Sequence, residues 1–161
     1  MRNNSHIYIF IDWRHYPLMT MSVEQAGLYI NNLIVWDKTS ISLGGNFRSQ
    51  HELIIFASRG PARELTNHKT GNVIQCKRVF NGEHPTEKPV ELMKTLIGIS
   101  CIDNCKILDP FLGSGSSRIA AHDMGFDFVG YEIDRDYFEA QEKRFANHIK
   151  QGNLFDPKEM Y

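Results

Sequence analysis

Cysteine is scarce in this chain: Cys76, Cys101 and Cys105 are the three in 161 residues. An odd, sparse count excludes a disulfide-stapled secreted scaffold and points to the reducing cytoplasm. Cys101-x3-Cys105 is half a metal site at most, because neither a second close pair nor a His-x3-His completes it. No metal site is assigned, and the cysteines are expected as thiols. Long apolar runs are lacking too, and none approaches the roughly 18 residues that a membrane span needs. The stretch Ile7-Tyr8-Ile9-Phe10-Ile11 is stopped by Asp12 with no small-residue cleavage site behind it, so it reads as a strand rather than a signal peptide. Internal repeats and low-complexity tracts are absent, which excludes solenoids and disordered tails. A net charge of −1 leaves no overall excess of either sign.

What is present is ordinary globular material, 42% hydrophobic and 23% charged, of a length expected for one domain over 1–161. The charge is unevenly spread. Residues 1–80 hold nine Lys/Arg against five Asp/Glu, and residues 81–161 hold nine against fourteen. A basic half and an acidic half suit a protein that turns one face to nucleic acid; charge alone leaves a solvated surface patterned by chance equally open.

Pattern and punctuation give a coarse chain of elements. Residues 6–11 read as a strand buried on both faces. Residues 22–32 read as a helix with Ser22 as its cap. Strands at 33–36 and 52–57 flank the polar Gly44-Gly45 loop and are expected to pair antiparallel. Residues 58–82 show no period and are expected to be irregular and basic. Pro89 opens a helix to about residue 99. A strand at 106–108, a helix near 115–124, a strand at 126–131 and a helix from 134 to 148 follow. Asp134 caps the last helix, and Lys143, Arg144 and Lys150 suit the negative end of its dipole. Strands alternating with helices indicate an α/β sheet.

The chemistry is concentrated in Leu108-Asp109-Pro110-Phe111-Leu112-Gly113-Ser114-Gly115-Ser116. A short apolar strand breaks into a glycine-bearing turn that runs into a helix N-terminus. The glycines permit close approach of backbone and ligand, and the helix end offers unbonded N–H groups: a nucleotide-binding elbow. The next strand ends at Glu132, 17 positions after Gly115, close to the roughly 20 expected of a ribose-binding acid. The dinucleotide fingerprint is incomplete, since Arg118 stands where its third glycine belongs, and the Gly-Lys-Ser/Thr of a phosphate loop is missing.

Asp109-Pro110-Phe111-x-Gly113-Ser114-Gly115 resembles motif I of the DNA amino-methyltransferases, with Ser116-Ser117 for the usual two threonines. His84-Pro85-Thr86-Glu87-Lys88-Pro89, with Leu92 and Leu96, resembles the His-x-x-x-Lys-Pro segment of motif X, placed before motif I as in the permuted, β-type subgroup. Ile34-Val35-Trp36-Asp37-Lys38, Phe47-Arg48-x-x-His51-Glu52 and Ile55-Phe56-Ala57 resemble the central region, and residues 7–12 the strand of motif VI. The resemblance runs from about Ser5 to Phe155. A nicotinamide-dependent oxidoreductase with an unusual glycine turn is a weaker alternative, because it explains neither the Lys-Pro segment nor Asp-Pro-Phe.

The resemblance implies a Rossmann-like α/β fold, circularly permuted. It also implies methyl transfer from S-adenosylmethionine to an exocyclic amine of adenine (N6) or cytosine (N4) in double-stranded DNA, with the base flipped out of the duplex. Asp109, Phe111, Gly113, Ser114 and Gly115 would line the cofactor. Glu132 would accept from its ribose hydroxyls, and Thr86 and Lys88 would hold its carboxylate. Arg48, Arg59, Arg63, Lys69, Lys77 and Arg78 are the candidate phosphate contacts. The Trp36/Phe47 pair is a possible base platform, with burial the plainer reading. Residues 5–57 would form the target-side half, 58–83 a short DNA-facing segment and 84–155 the cofactor-binding half. The setting implied is the cytoplasm of a prokaryote, or a phage-encoded restriction-modification protein. The family's catalytic tetrad, Asp-Pro-Pro-Tyr or a variant, does not occur, so no catalytic residue is assigned. The chain is expected to start just downstream of it, to lack some sheet strands, and to depend on another segment or chain for the tetrad. A catalytically inactive remnant that binds cofactor or DNA is the alternative.

Overall fold

The computed structural model describes residues 1–43, 46–67, 69–80, 87–102 and 104–154, with backbone alone at 152–154. The chain forms two compact units, Met1–Arg78 and Val79–Tyr161. The expected Gly44-Gly45 loop tip, His84 and Thr86 lie outside the described residues.

The first unit is a four-stranded sheet with one helix: β1 (His6–Ile11), α1 (Tyr16–Gln25), β2 (Tyr29–Asp37), β3 (His51–Ser58) and β4 (Val73–Gln75), in the order β1-β3-β2-β4. As expected, β2 and β3 pair antiparallel, with Ile34 opposite Ile54 and Trp36 opposite Glu52. β1 pairs antiparallel with β3, Ile9 opposite Ile55. β3, flanked on both sides, is the buried strand, and Ile54, Ile55 and Ala57 are 0% exposed. β1 is at the edge and half-buried at every position, which corrects the expectation of burial on both faces. Its Ile7, Ile9 and Ile11 pack with Ile55, Ala57 and Val23 of α1, as the two-residue period of a strand requires. Its Tyr8 stacks on Phe56 across the other face.

The helix expected at 22–32 lies at 16–25 instead. Asp12 takes the N–H groups of Arg14 and His15, and proline stands in the first turn. Ser22, expected to cap, sits mid-helix and donates back to the Leu18 carbonyl. Gly27, at φ +72°, closes the helix: its N–H reaches Glu24 and that of Leu28 reaches Val23, the paired bonds of a Schellman end. Among its described residues the 58–82 segment is largely irregular but contributes β4, three residues parallel to β2.

The second unit contains α2 (Val90–Ser100), β5 (Lys106–Asp109), α3 (Ser116–Asp123), β6 (Asp127–Gly130) and α4 (Arg135–Leu154). Pro89 is the cap of α2, in extended conformation, rather than its first helical residue. β5 and β6 pair parallel, Ile107 opposite Phe128 and Leu108 opposite Val129. Leu92, Leu96, Leu112, Ile119, Ala120 and Ala121 are buried, while Leu108 and Val129 are both more than half exposed on the opposite side of the strands. A parallel pair is ordinarily covered on both faces. α4 outruns its expected end at 148, so none of Lys143, Arg144 and Lys150 belongs to its last turn. Cys101 and Cys105, expected as thiols, are joined as a disulfide across a Cα–Cα distance of 5.4 Å. Among the described residues no helix is long and apolar enough to cross a membrane.

Candidate functional site

The expected strand, glycine turn and helix are all present. β5 ends at Asp109, the turn passes through Gly113 (φ +51°) and Gly115 (φ +78°), and Gly115 is the N-cap of α3. Such backbone angles are strained for any residue with a Cβ. Asp109 builds the turn from within. One carboxylate oxygen accepts the Phe111 N–H at 3.0 Å, and the other accepts the Ser117 hydroxyl at 2.5 Å. The carboxylate is therefore already engaged in holding the loop to the first turn of α3. Phe111 projects outward, 87% exposed.

Glu132, two residues past the end of β6, closes the other side. One carboxylate oxygen accepts the Gly113 N–H at 2.7 Å, and the other accepts the Asp134 N–H at 3.0 Å. The Asp134 N–H lowers the carboxyl pKa, burial opposes, and the Gly113 N–H adds to the lowering, so the group is held as a carboxylate. Two further bonds lace the strands to the turn: Tyr131 N–H to the Asp109 carbonyl, and Leu112 N–H to the Tyr131 carbonyl, each 2.9 Å. Each carboxylate oxygen of Glu132 keeps acceptor capacity beyond these bonds. Asp134 caps α4 as expected, accepting from the Asp136 and Tyr137 N–H groups.

Sequence reasoning missed the residues that hold this turn from behind. Arg144 of α4 donates to the Ser114 carbonyl at 2.8 Å and pairs with the Glu87 carboxylate at 2.7 Å. One guanidinium thereby joins the glycine turn to the residue preceding Lys88, so two segments separated by 27 positions meet. Glu87 is the more sheltered partner, its side chain 6% exposed. Gln141, 1% exposed, lies under Gly115 and accepts from Arg118 at 3.0 Å. Arg118 also pairs with Glu142 and rests on the Phe145 ring, 3.9 Å from its centroid. One sequence signal pointed here: Gln141 falls at apolar helical spacing between Phe138 and Phe145, where a polar residue needs a partner.

Of the expected cofactor residues, Asp109, Phe111, Gly113, Ser114, Gly115 and Glu132 come together around one turn, and Lys88 is half-buried beside Glu87. Thr86 lies outside the described residues. The expected phosphate contacts divide. Arg48, Arg59, Lys69 and Lys77 are exposed, and Arg63 and Arg78 half-buried. Arg59 donates to the Met1 carbonyl at 2.5 Å, and the Arg63 carbonyl accepts from His6 at 3.0 Å. Trp36 is buried at 1% exposure with its indole N–H on the Cys76 carbonyl, the burial that was its plainer reading, whereas Phe47 is fully exposed.

Known proteins share this architecture. A family model described as DNA methylase matches residues 1–143. The putative methylase YubD of Escherichia coli is 30% identical over 91% of this chain and 64% of its own length. The type II methyltransferase M2.LlaDCHI of Lactococcus lactis is 27% identical over 89% of this chain and 61% of its own. The chain thus spans somewhat under two thirds of the curated relatives it matches. The crystal structure of an M1.HpyAVI–SAM complex superposes with a TM-score of 0.78 at 26% identity, over 89% of this chain and 76% of that one. PvuII DNA methyltransferase, described as cytosine-N4-specific, shares the fold at a TM-score of 0.76 and 12% identity. Strand, glycine turn and acid in this order, with a family match over most of the sequence, establish that the chain belongs to the DNA amino-methyltransferase (DNA methylase) family.

Proposed function

We propose that this chain is the methyl-donor portion of a DNA methyltransferase that uses S-adenosylmethionine to methylate an exocyclic amine of adenine or cytosine. The observation that carries the reading is the Glu132 carboxylate beside a glycine turn whose N–H it already accepts. A carboxylate held ionised at that place suits a ribose diol, and the exposed Phe111 ring suits an apolar or cationic ligand group. A ring and an acid converging on a turn without side-chain bulk at Gly113 and Gly115 fit an adenosyl sulfonium better than a phosphate-rich ligand. When bound, that cofactor supplies an electrophilic methyl group.

The roles of the chain's own residues follow from their bonds. Glu132 accepts from the ribose, and Gly113 and Gly115 let it approach the backbone. Asp109, already committed to Phe111 and Ser117, shapes the turn as well as attracting the donor's ammonium group. Ser114 lines the same turn, and Lys88, with Thr86, holds the donor's carboxylate. Residues 84–155 act as the cofactor half, 5–57 as the target-side half and 58–83 as the DNA-facing segment. Arg48, Arg59, Arg63, Lys69, Lys77 and Arg78 take phosphates there, giving affinity without sequence readout. A cytoplasmic setting in a bacterium or phage goes with this reading.

The acceptor side is supplied by a further segment or chain bearing Asp-Pro-Pro-Tyr, since the sequence contains no such tetrad. Its polar groups would orient the flipped amine for attack on the methyl group. Incubation with radiolabelled S-adenosylmethionine and mixed-sequence duplex tests the division. The chain alone is expected to bind the donor without labelling DNA. Adding a separate polypeptide that carries the tetrad is expected to start label transfer. Robust transfer by the chain alone would refute the division, and failure to bind donor would refute the reading of the site.

A further inference from the structure

At the end of α3 opposite the glycine turn, three side chains that the proposed donor site does not use converge on one point. The Asp123 carboxylate oxygen Oδ1 lies 2.6 Å from Nε2 of His148 on α4 and 3.6 Å from Nδ1 of His122. All three donor atoms lie within 4.8 Å of one another. The two rings stand edge to face, centroids 6.3 Å apart, and His122 is also set edge-on against Phe145 at 5.3 Å. Lys94 of α2 holds the second carboxylate oxygen of Asp123 at 2.9 Å, with Glu91 at 3.5 Å from the same ammonium.

We propose that His122, Asp123 and His148 form a binding site for a divalent transition metal of the zinc type, bridging α3 and α4. Two imidazole nitrogens and one carboxylate oxygen are a donor set that such ions take, whereas magnesium and calcium favour oxygen alone. Bonds of about 2.0–2.2 Å place tetrahedral ligands roughly 3.2–3.6 Å apart. The His122–Asp123 separation already has that value. The His148–Asp123 hydrogen bond needs to open by less than about 1 Å, which side-chain rotation supplies. Lys94 supports the site from outside by fixing the carboxylate oxygen that does not ligate, as second-shell partners do. A groove of about 400 Å³ bordered by Lys94, Asp123, Asn147 and His148 leaves room for water at the fourth position. An ion here would fasten α3, which Gly115 caps, to α4, which carries Gln141 and Arg144 against the turn.

Zinc titrated calorimetrically into the chelator-stripped full chain is expected to bind one to one and to raise the thermal midpoint, while magnesium does neither. His122→Gln and His148→Gln, each checked for fold by circular dichroism, are each expected to weaken zinc binding at least about tenfold. Cobalt(II) is expected to give visible d–d bands without the near-ultraviolet thiolate band that cysteine ligation produces. In the unaltered chain, zinc is expected to move the ring resonances of both histidines, a readout that needs no variant. Absence of binding, binding indifferent to both substitutions, a thiolate band, or unmoved histidine resonances would each overturn the site. None of these outcomes depends on S-adenosylmethionine binding.

Discussion

Replacing Gly115 with alanine adds one methyl group at a tightly packed position of the glycine turn. Two costs follow from the structure. The residue sits at φ +78°, where a Cβ costs about 1–2 kcal/mol. The new Cβ would also lie 3.1 Å from Oε1 and 3.2 Å from Cβ of Gln141, closer than ordinary contact. Gln141 has little room to yield, because it is 1% exposed and its oxygen accepts from Arg118. Overpacking of this kind costs about 1–3 kcal/mol, so the sum is roughly 2–5 kcal/mol. Gly125, which follows the other end of α3 at φ +74° with nothing within 4 Å of its would-be Cβ, isolates the conformational part. Gly125→Ala is expected to cost only about 1–2 kcal/mol. Urea unfolding of the two variants measures the difference as a shift in midpoint at unchanged slope. In a Gln141→Ala background, which removes the Oε1 contact and keeps the Cβ contact, the cost of Gly115→Ala is expected to fall part of the way toward that of Gly125→Ala. Equal costs for the two glycines in the unaltered background would refute the packing argument.

Glu132→Ala removes the acceptor of the Gly113 N–H and, on the proposed reading, of the ribose; about 1.5–3 kcal/mol for a charge-assisted bond implies a loss of donor affinity of at least about tenfold. Unchanged affinity by calorimetry would take Glu132 out of the site. Arg144→Met leaves the sheltered Glu87 carboxylate without its guanidinium and is expected to destabilise the chain by about 3–5 kcal/mol, whereas Arg144→Met with Glu87→Leu recovers a large part. A double variant no better than the single one in denaturant unfolding would contradict that pairing. Asp123, Glu132 and Glu142 all have carboxyl pKa values below their ordinary range. For Asp123 burial opposes ionisation but bonds from His148 and Lys94 outweigh it, for Glu132 the cause is the Asp134 N–H, and for Glu142 it is Arg118. Depressed values stabilise the fold above the unfolded pKa, and that contribution is lost as pH falls through the folded values. Unfolding followed from pH 7 downward is therefore expected to show stability falling below about pH 4, and a flat profile there would contradict it.

The parts of the site that depend on short-range order were legible in the sequence. The two glycines and an acid 17 positions on are constraints of one turn and one strand, so spacing places them, and the resemblance to motif I adds Asp109 and Phe111. The sequence pattern misplaces α1 because Ser22, a residue type that favours caps, competes with Pro17 at the start and Gly27 at the stop. β4 escaped notice because three residues carry no period, and the strand exists only through its pairing with β2. β1 has the composition of a buried strand, yet its place at the edge is decided by chain topology. In sequence Arg144 has only the look of a helix-end charge, since nothing local announces partners 30 and 57 positions away. The Asp123–His148 contact is invisible for the same reason, joining two helices across 25 positions.

Calorimetric titration of the folded chain with S-adenosylmethionine is the most direct test of the account. Saturable binding at one site per chain is predicted. A chain that is folded by circular dichroism yet takes up no S-adenosylmethionine would contradict the assignment of the Asp109–Ser116 turn as the methyl-donor site.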